Sequence, residues 1–128
     1  MSESIKSYKD LQVWKKSVAF AVEIYRVTQA FPKAEFYGGL VDQIRRAAIS
    51  IPSNIAEGHA RHFSKVFANH LDMALGSAAE LQTQLLIARE VGYLRSQDYE
   101  HLMADLTELT KMLHSIYAAI NRRTRNAP

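Results

Sequence analysis

The sequence has no cysteine, which excludes a disulfide framework, a thiolate metal site and a thiol nucleophile. It also lacks any apolar run near the roughly 20 residues needed to span a bilayer. Its first residues, "MSESIKSYKDLQ", lack the apolar core of a signal peptide. The reading is a soluble, cytoplasmic protein with no membrane partner. There is no Gly-x-Ser-x-Gly elbow, no Walker loop, no dinucleotide fingerprint and no Glu-x-x-His, so neither a hydrolase triad, a nucleotide cradle nor a di-iron bundle is expected. The nearest approach to a metal motif is Asp98-x-x-His101, or the group Glu57, His59 and His62; turn histidines are usually solvated, and no metal or cofactor is expected. No catalytic residues are assigned, and the protein is not read as an enzyme.

Proline and glycine are sparse, three and five in 128 residues. They gather in "FPKAEFYGG", "EGHARHFS" and "EVGYLRS", where turns are wanted. Between these lie four segments with helical period: about 10–30, 35–57, 64–91 and 96–122. Ser64 and Ser96 are candidate N-caps, and Gly58 and Gly92 candidates for the left-handed position that closes a helix. In the fourth segment Tyr99, Leu102, Leu106, Leu109, Leu113, Ile116 and Ile120 follow 3–4 spacing, and in the third so do Phe67, Leu71, Ala74, Ala78, Leu81, Leu85 and Ala88. No segment alternates with period two. Short connections make neighbours antiparallel, so the fold expected is an all-α, up-down-up-down four-helix bundle. Residues 1–128 form one domain, with 1–8 as a flexible N-terminal tail and 122–128 as a basic C-terminal tail.

The first segment has more apolar surface than one core requires. Leu11, Trp14, Val18, Ala21 and Tyr25 make one stripe; Val13, Phe20, Ile24, Val27 and Phe31 make another. Together they span about 220°, where a helix facing one core needs about 100°. The second stripe is assigned to an interface between copies, and a homo-oligomer of closed symmetry is expected.

In "RRAAISIPSNIAEG" a helical reading separates two stripes. Leu40, Ile44, Ala47, Ile51 and Ile55 face the core, and Gln43, Arg46, Ser50, Asn54 and Glu57 form a polar row. Pro52 falls inside, at a cost of about 3 kcal/mol unless nearby groups compensate. Either the helix continues through it, kinked, with Ser50, Ser53 and Asn54 supplying local hydrogen bonds, or it stops at Ile49 and restarts. Arg46 needs an acid if buried. Glu57 and Glu80 are candidates, giving a structural network of Arg46, Ser50, Asn54, Glu57 and Glu80.

"YKDLQVWKKS", "QIRRAAISIPSNIAEG" and "LGSAAELQTQLLIAREVGYL", in this order, closely resemble a four-helix-bundle family linked to intervening sequences of large-subunit ribosomal RNA genes. The family is often labelled ribosomal. The likeness runs from about Tyr8 to Ile120. It implies a ring- or barrel-shaped homopentamer, and a distant relation to accessory variability proteins of diversity-generating retroelements, basic pentamers that bind nucleic acid. The formal charge is only +3, with ten Lys/Arg against six Asp/Glu in residues 1–66. Repeated round a ring, that excess would attract phosphates with little sequence preference. The residues assigned to RNA or DNA are Lys15, Lys16, Arg45, Arg61, Lys65, Arg122, Arg123 and Arg125; Lys6 and Lys9 add to the first group. The alternative is a protein-interaction scaffold whose charge only keeps it in solution.

Overall fold

The computed structural model describes residues 7–125, without the side chains of Asp10 and of residues 123–125. Lys6 and the side chains of Arg123 and Arg125 therefore lie outside the described residues. Four helices follow short 3-10 turns at Tyr8–Asp10 and Lys33–Glu35: α1 (Gln12–Thr28), α2 (Leu40–Ala60), α3 (Ser64–Glu90) and α4 (Ser96–Arg125). The described residues contain no strand. Each helix packs closely on two others, α2 on α3 most extensively, while α1 and α3, like α2 and α4, face each other across the shared core without close backbone approach.

The 3–4 spacing of apolar residues explains this arrangement. Leu102, Leu106, Leu109 and Leu113 of α4, and Leu71, Ala74, Ala78, Leu81, Leu85 and Ala88 of α3, are buried. So are Ile44, Ala47, Ile51 and Ile55 of α2. Full burial of one such leucine or isoleucine stabilises by about 1.5–3 kcal/mol.

On α1 the stripe assigned to an interface is the more deeply buried, and the other is not left outside either: Ala21 is buried and Leu11 and Trp14 pack against the core. Val13, Phe20, Ile24 and Phe31 are 0–3% exposed and belong to the chain's own core, with Val27 packed against it. They are not surface that another subunit could meet. The reason is local: Ser17 and Thr28 share this face, and their hydroxyls donate back to the carbonyls of Trp14 at 2.8 Å and Ile24 at 2.7 Å. Back-bonded in this way, they bury without an unpaired donor. What α1 leaves outside is Tyr25 at 37% and Val22 at 43%, with Ile49 of α2 at 43%.

Four boundaries also differ from expectation. α2 starts at Leu40, not near Glu35, because Glu35 acts as its cap: Leu40 N donates to Glu35 Oε1 at 2.8 Å. Gly39 has no room for a side chain, since a Cβ there would meet the Glu35 backbone at 2.7 Å. Ser64 and Ser96 are each already the first helical residue and not the cap, α3 having Phe63 in the cap position with no side-chain cap bond and α4 starting with Tyr99 N bonded to the Arg95 carbonyl. Gly58 lies inside α2, and the left-handed residue after it is His62, at φ 63°. Gly92, at φ 89°, closes α3 as expected. α2 runs unbroken through the buried Pro52.

At one end the Phe31 and Tyr93 rings lie 5.7 Å apart and the Tyr93 hydroxyl donates to Glu35 Oε2 at 3.2 Å. That hydrogen bond, and then the Glu35 charge, push the Tyr93 phenol above the usual tyrosine range. The contact's contribution to stability is therefore present below that range and lost as pH rises through the raised value. In Tyr93→Phe this share of alkaline destabilisation disappears, as pH-dependent urea titration will show. His62→Gly removes a left-handed strain of about 1 kcal/mol, partly offset by the entropy glycine adds to the unfolded chain; the urea midpoint rises modestly.

Candidate nucleic-acid interface

The polar row on α2 meets α3 as a connected seam. Ser77 Oγ donates to Ser50 Oγ at 2.8 Å. Asn54 Nδ2 donates to Ser50 Oγ at 3.0 Å and to the Ser50 carbonyl at 2.9 Å. With that amide group engaged, Asn54 Oδ1 accepts from His70 Nδ1 at 2.9 Å. This fixes a proton on His70 Nδ1 and leaves Nε2 facing Glu57 Oε2 at 3.9 Å. The two helices can come this close because residue 58 is glycine: a Cβ there would stand 2.6 Å from His70 Cβ and 3.2 Å from Phe67 Cδ1.

Of the five residues assigned to the network, the structure joins Ser50, Asn54 and Glu57. Arg46 is not among them. Its side chain is 79% exposed and pairs with Asp42 one turn earlier, Nε to Oδ1 at 3.0 Å. That hydrogen bond leads in holding the Asp42 carboxyl below the usual carboxylate range. Glu80 accepts from Gln84 Nε2 at 3.1 Å on its own helix. The seam's α3 half is His70 and Ser77. The sequence carried a signal for them, since His70, Ser77 and Gln84 recur every seven residues, two helical turns apart.

Among the basic residues, Arg45 serves the fold. Its Nε donates to Thr28 Oγ1 at 2.9 Å and a terminal nitrogen to the Tyr25 carbonyl at 3.2 Å. Its guanidinium carbon lies 4.3 Å from the Tyr25 ring centroid and 5.1 Å from that of Phe36. It thus satisfies the last turn of α1, where a cation also opposes the negative end of the helix dipole. Lys15, Arg61, Lys65 and Arg122 are exposed and Lys16 half-buried.

These cations share one end of the molecule. A groove of about 490 Å³ is lined there by Leu11 before α1, by Gly58, His62, Phe63 and Phe67 about the α2–α3 turn, and by Ile120 of α4. The start of α1, the end of α2, the start of α3 and the end of α4 consequently converge. Residues 7–18, 54–72 and 112–125, which lead to this end, carry eight Lys/Arg against three Asp/Glu, a balance of +5. Residues 19–53 and 73–111 carry seven against nine, a balance of −2. Among the described residues no group of three or more His, Asp or Glu gathers as metal ligands, and no helix is long and apolar enough to cross a membrane.

The class so defined is a small all-α, four-helix protein with a hydrogen-bonded α2–α3 seam and a basic, grooved end. The chain belongs to the 23S rRNA-intervening sequence protein family, whose pattern it matches over residues 9–115. It is also similar to the crystal structure of a protein of unknown function from the S23 ribosomal protein family of Bacteroides thetaiotaomicron. The two share 31% identity over 83% of this chain and 95% of that one, with a TM-score of 0.76. No curated protein matches the chain. The resemblance in the three sequence motifs is thus a family membership.

The seam yields a contrast in stability. Asn54→Ala strips partners from Ser50 and His70 at once and costs about 1–3 kcal/mol, and Gly58→Ala, by overpacking, about as much. Arg46→Ala stays within about 0.5 kcal/mol of the parent. Urea unfolding of the three variants at pH 7 checks the order.

Proposed function

We propose that the protein is a non-enzymatic helical oligomer, an up-down-up-down bundle assembled as a homopentamer, that binds RNA or DNA by its backbone through rings of basic residues. The observation that carries this reading is the segregation of charge: the +5 balance collects at one end while the remainder is slightly acidic. Lys15, Lys16, Arg61, Lys65 and Arg122 are the binding residues, with Arg123 and Arg125 continuing the same helix end. Arg45 leaves the set, being engaged with α1. The family's description, which names an rRNA intervening sequence, agrees with a nucleic-acid partner.

The subunit contact moves with the correction on α1. Its surface becomes Val22 and Tyr25 together with Ile49 across the helix pair, apolar residues at the flank that Arg45 staples. An exposed apolar flank of this kind is ordinarily covered by a partner, and a second copy in closed symmetry is the commonest such partner. The same flank favours one rival, a protein-interaction scaffold that meets a different protein there and has no nucleic-acid role.

Light scattering is expected to give about five times the 14.5 kDa chain mass, and Val22→Glu with Ile49→Glu to dissociate the assembly into folded subunits. A labelled RNA is expected to bind at low salt, with log K falling linearly in log salt by about 0.7–0.9 per phosphate contact. No binding to RNA or DNA at 20 mM salt, with the oligomer intact, would leave the scaffold reading standing instead.

A further inference from the structure

The groove at the basic end differs from a plain cationic surface. Its floor is apolar, formed by Leu11, Phe67 and Ile120, and none of its lining residues is acidic. Phe63 stands on its rim 68% exposed, among the most exposed large apolar side chains described. Two features hold it there. His62 before it is in the left-handed conformation, which turns the chain sharply. Phe63 itself is extended, at φ −119° and ψ 126°, and its carbonyl accepts from Phe67 N at 2.9 Å at the start of α3. The ring is therefore borne on a fixed backbone and left out of the core.

Cations flank it in the chain. Arg61 and Lys65 lie two residues to either side, and Arg122 lies two residues beyond the groove residue Ile120. Arg61 has one acidic neighbour, Glu57 at 3.7 Å, with both side chains more than half exposed. Such exposed pairs are held by little energy, so a phosphate can displace Glu57 at small cost. Lys65 lines a neighbouring cleft with Asp72, Tyr117 and Asn121, and Arg122 another with Tyr117 and Asn121, so both cations stand beside the groove. The third acid of this end, Asp10, has its side chain outside the described residues. A ligand that fits must bring a flat apolar face for Phe63 and negative charge on both sides of it.

We infer that this groove takes a base of single-stranded RNA or DNA, stacked on Phe63, with the backbone on either side of that base running out of the groove to Arg61 and to the neighbouring Lys65 and Arg122. The inference rests on the nucleic-acid reading above and names the form of strand and the contact. A duplex keeps its base faces stacked inside and cannot offer one to Phe63, whereas an aromatic platform between cations is how unpaired strands are held without sequence preference.

Fluorescence anisotropy with labelled 15-nucleotide poly-rU and poly-dT, and with a 15-base-pair duplex, tests it on the full-length protein. Single strands are expected to bind more tightly than duplex. Phe63→Ala is expected to weaken single-strand binding at least about five-fold while leaving the salt slope and duplex binding unchanged, and Phe63→Trp to retain it. Arg61→Gln and Lys65→Gln each lower the salt slope by about 0.7. Phe63 is exposed, so Phe63→Ala keeps its helical circular dichroism and its mass. Unchanged single-strand affinity in Phe63→Ala, alongside lowered slopes in the charge variants, overturns the stacking contact and leaves backbone binding intact. Equal binding of duplex and single strand overturns it as well. A fall in oligomer mass in Phe63→Ala means that a second copy of the chain occupies the groove. If the parent protein binds none of the three probes at 20 mM salt, the nucleic-acid reading fails together with this one.

Discussion

The close approach of α2 to α3 is the constraint on which the rest of the structure depends. It requires a residue without a side chain at position 58, where a Cβ would collide with His70. It also requires partners for the polar groups that contact brings out of water. Ser77, Ser50, Asn54 and His70 satisfy one another in a chain of bonds between 2.8 and 3.0 Å. A half-satisfied set would cost more than an apolar contact of the same shape. The seam therefore fixes how far α3 can slide along α2, because a one-residue shift would separate Ser50 from Ser77.

Fixing that register sets the basic end. With α2 and α3 locked, the turn between them is tight, and its residues from Gly58 to Phe67 are presented beside the start of α1 and the end of α4. His62 supplies the left-handed turn that a glycine would ordinarily provide. The cations and the exposed Phe63 are consequences of where that turn is held. The same register serves the far end, where Glu35 caps α2 and receives the Tyr93 hydroxyl.

Much of the fold could be read from the residues. The 3–4 spacing located all four helices, and the leucine seam of α4 and the alanine-rich stripe of α3 turned out buried as their period required. Misreadings arose where two solutions share one pattern. α1 offered two apolar stripes, and nothing in their period says which faces inward; Ser17 and Thr28, polar by name, sit on the buried face because they bond back to their own helix. Arg46 looked like a buried charge in need of an acid, yet it extends outward to Asp42. Arg45, read as a phosphate ligand, instead closes the end of α1.

The sequence by itself determined the class of fold, the polar row through Ser50 and Asn54, and an uneven distribution of charge, because helical period, side-chain type and charge are local properties. Only the tertiary structure decided which stripe of α1 became core, that His70 completes the seam, and that cations from three separate segments share one end. Those outcomes depend on distances between residues far apart in the chain, which close packing sets and local pattern does not.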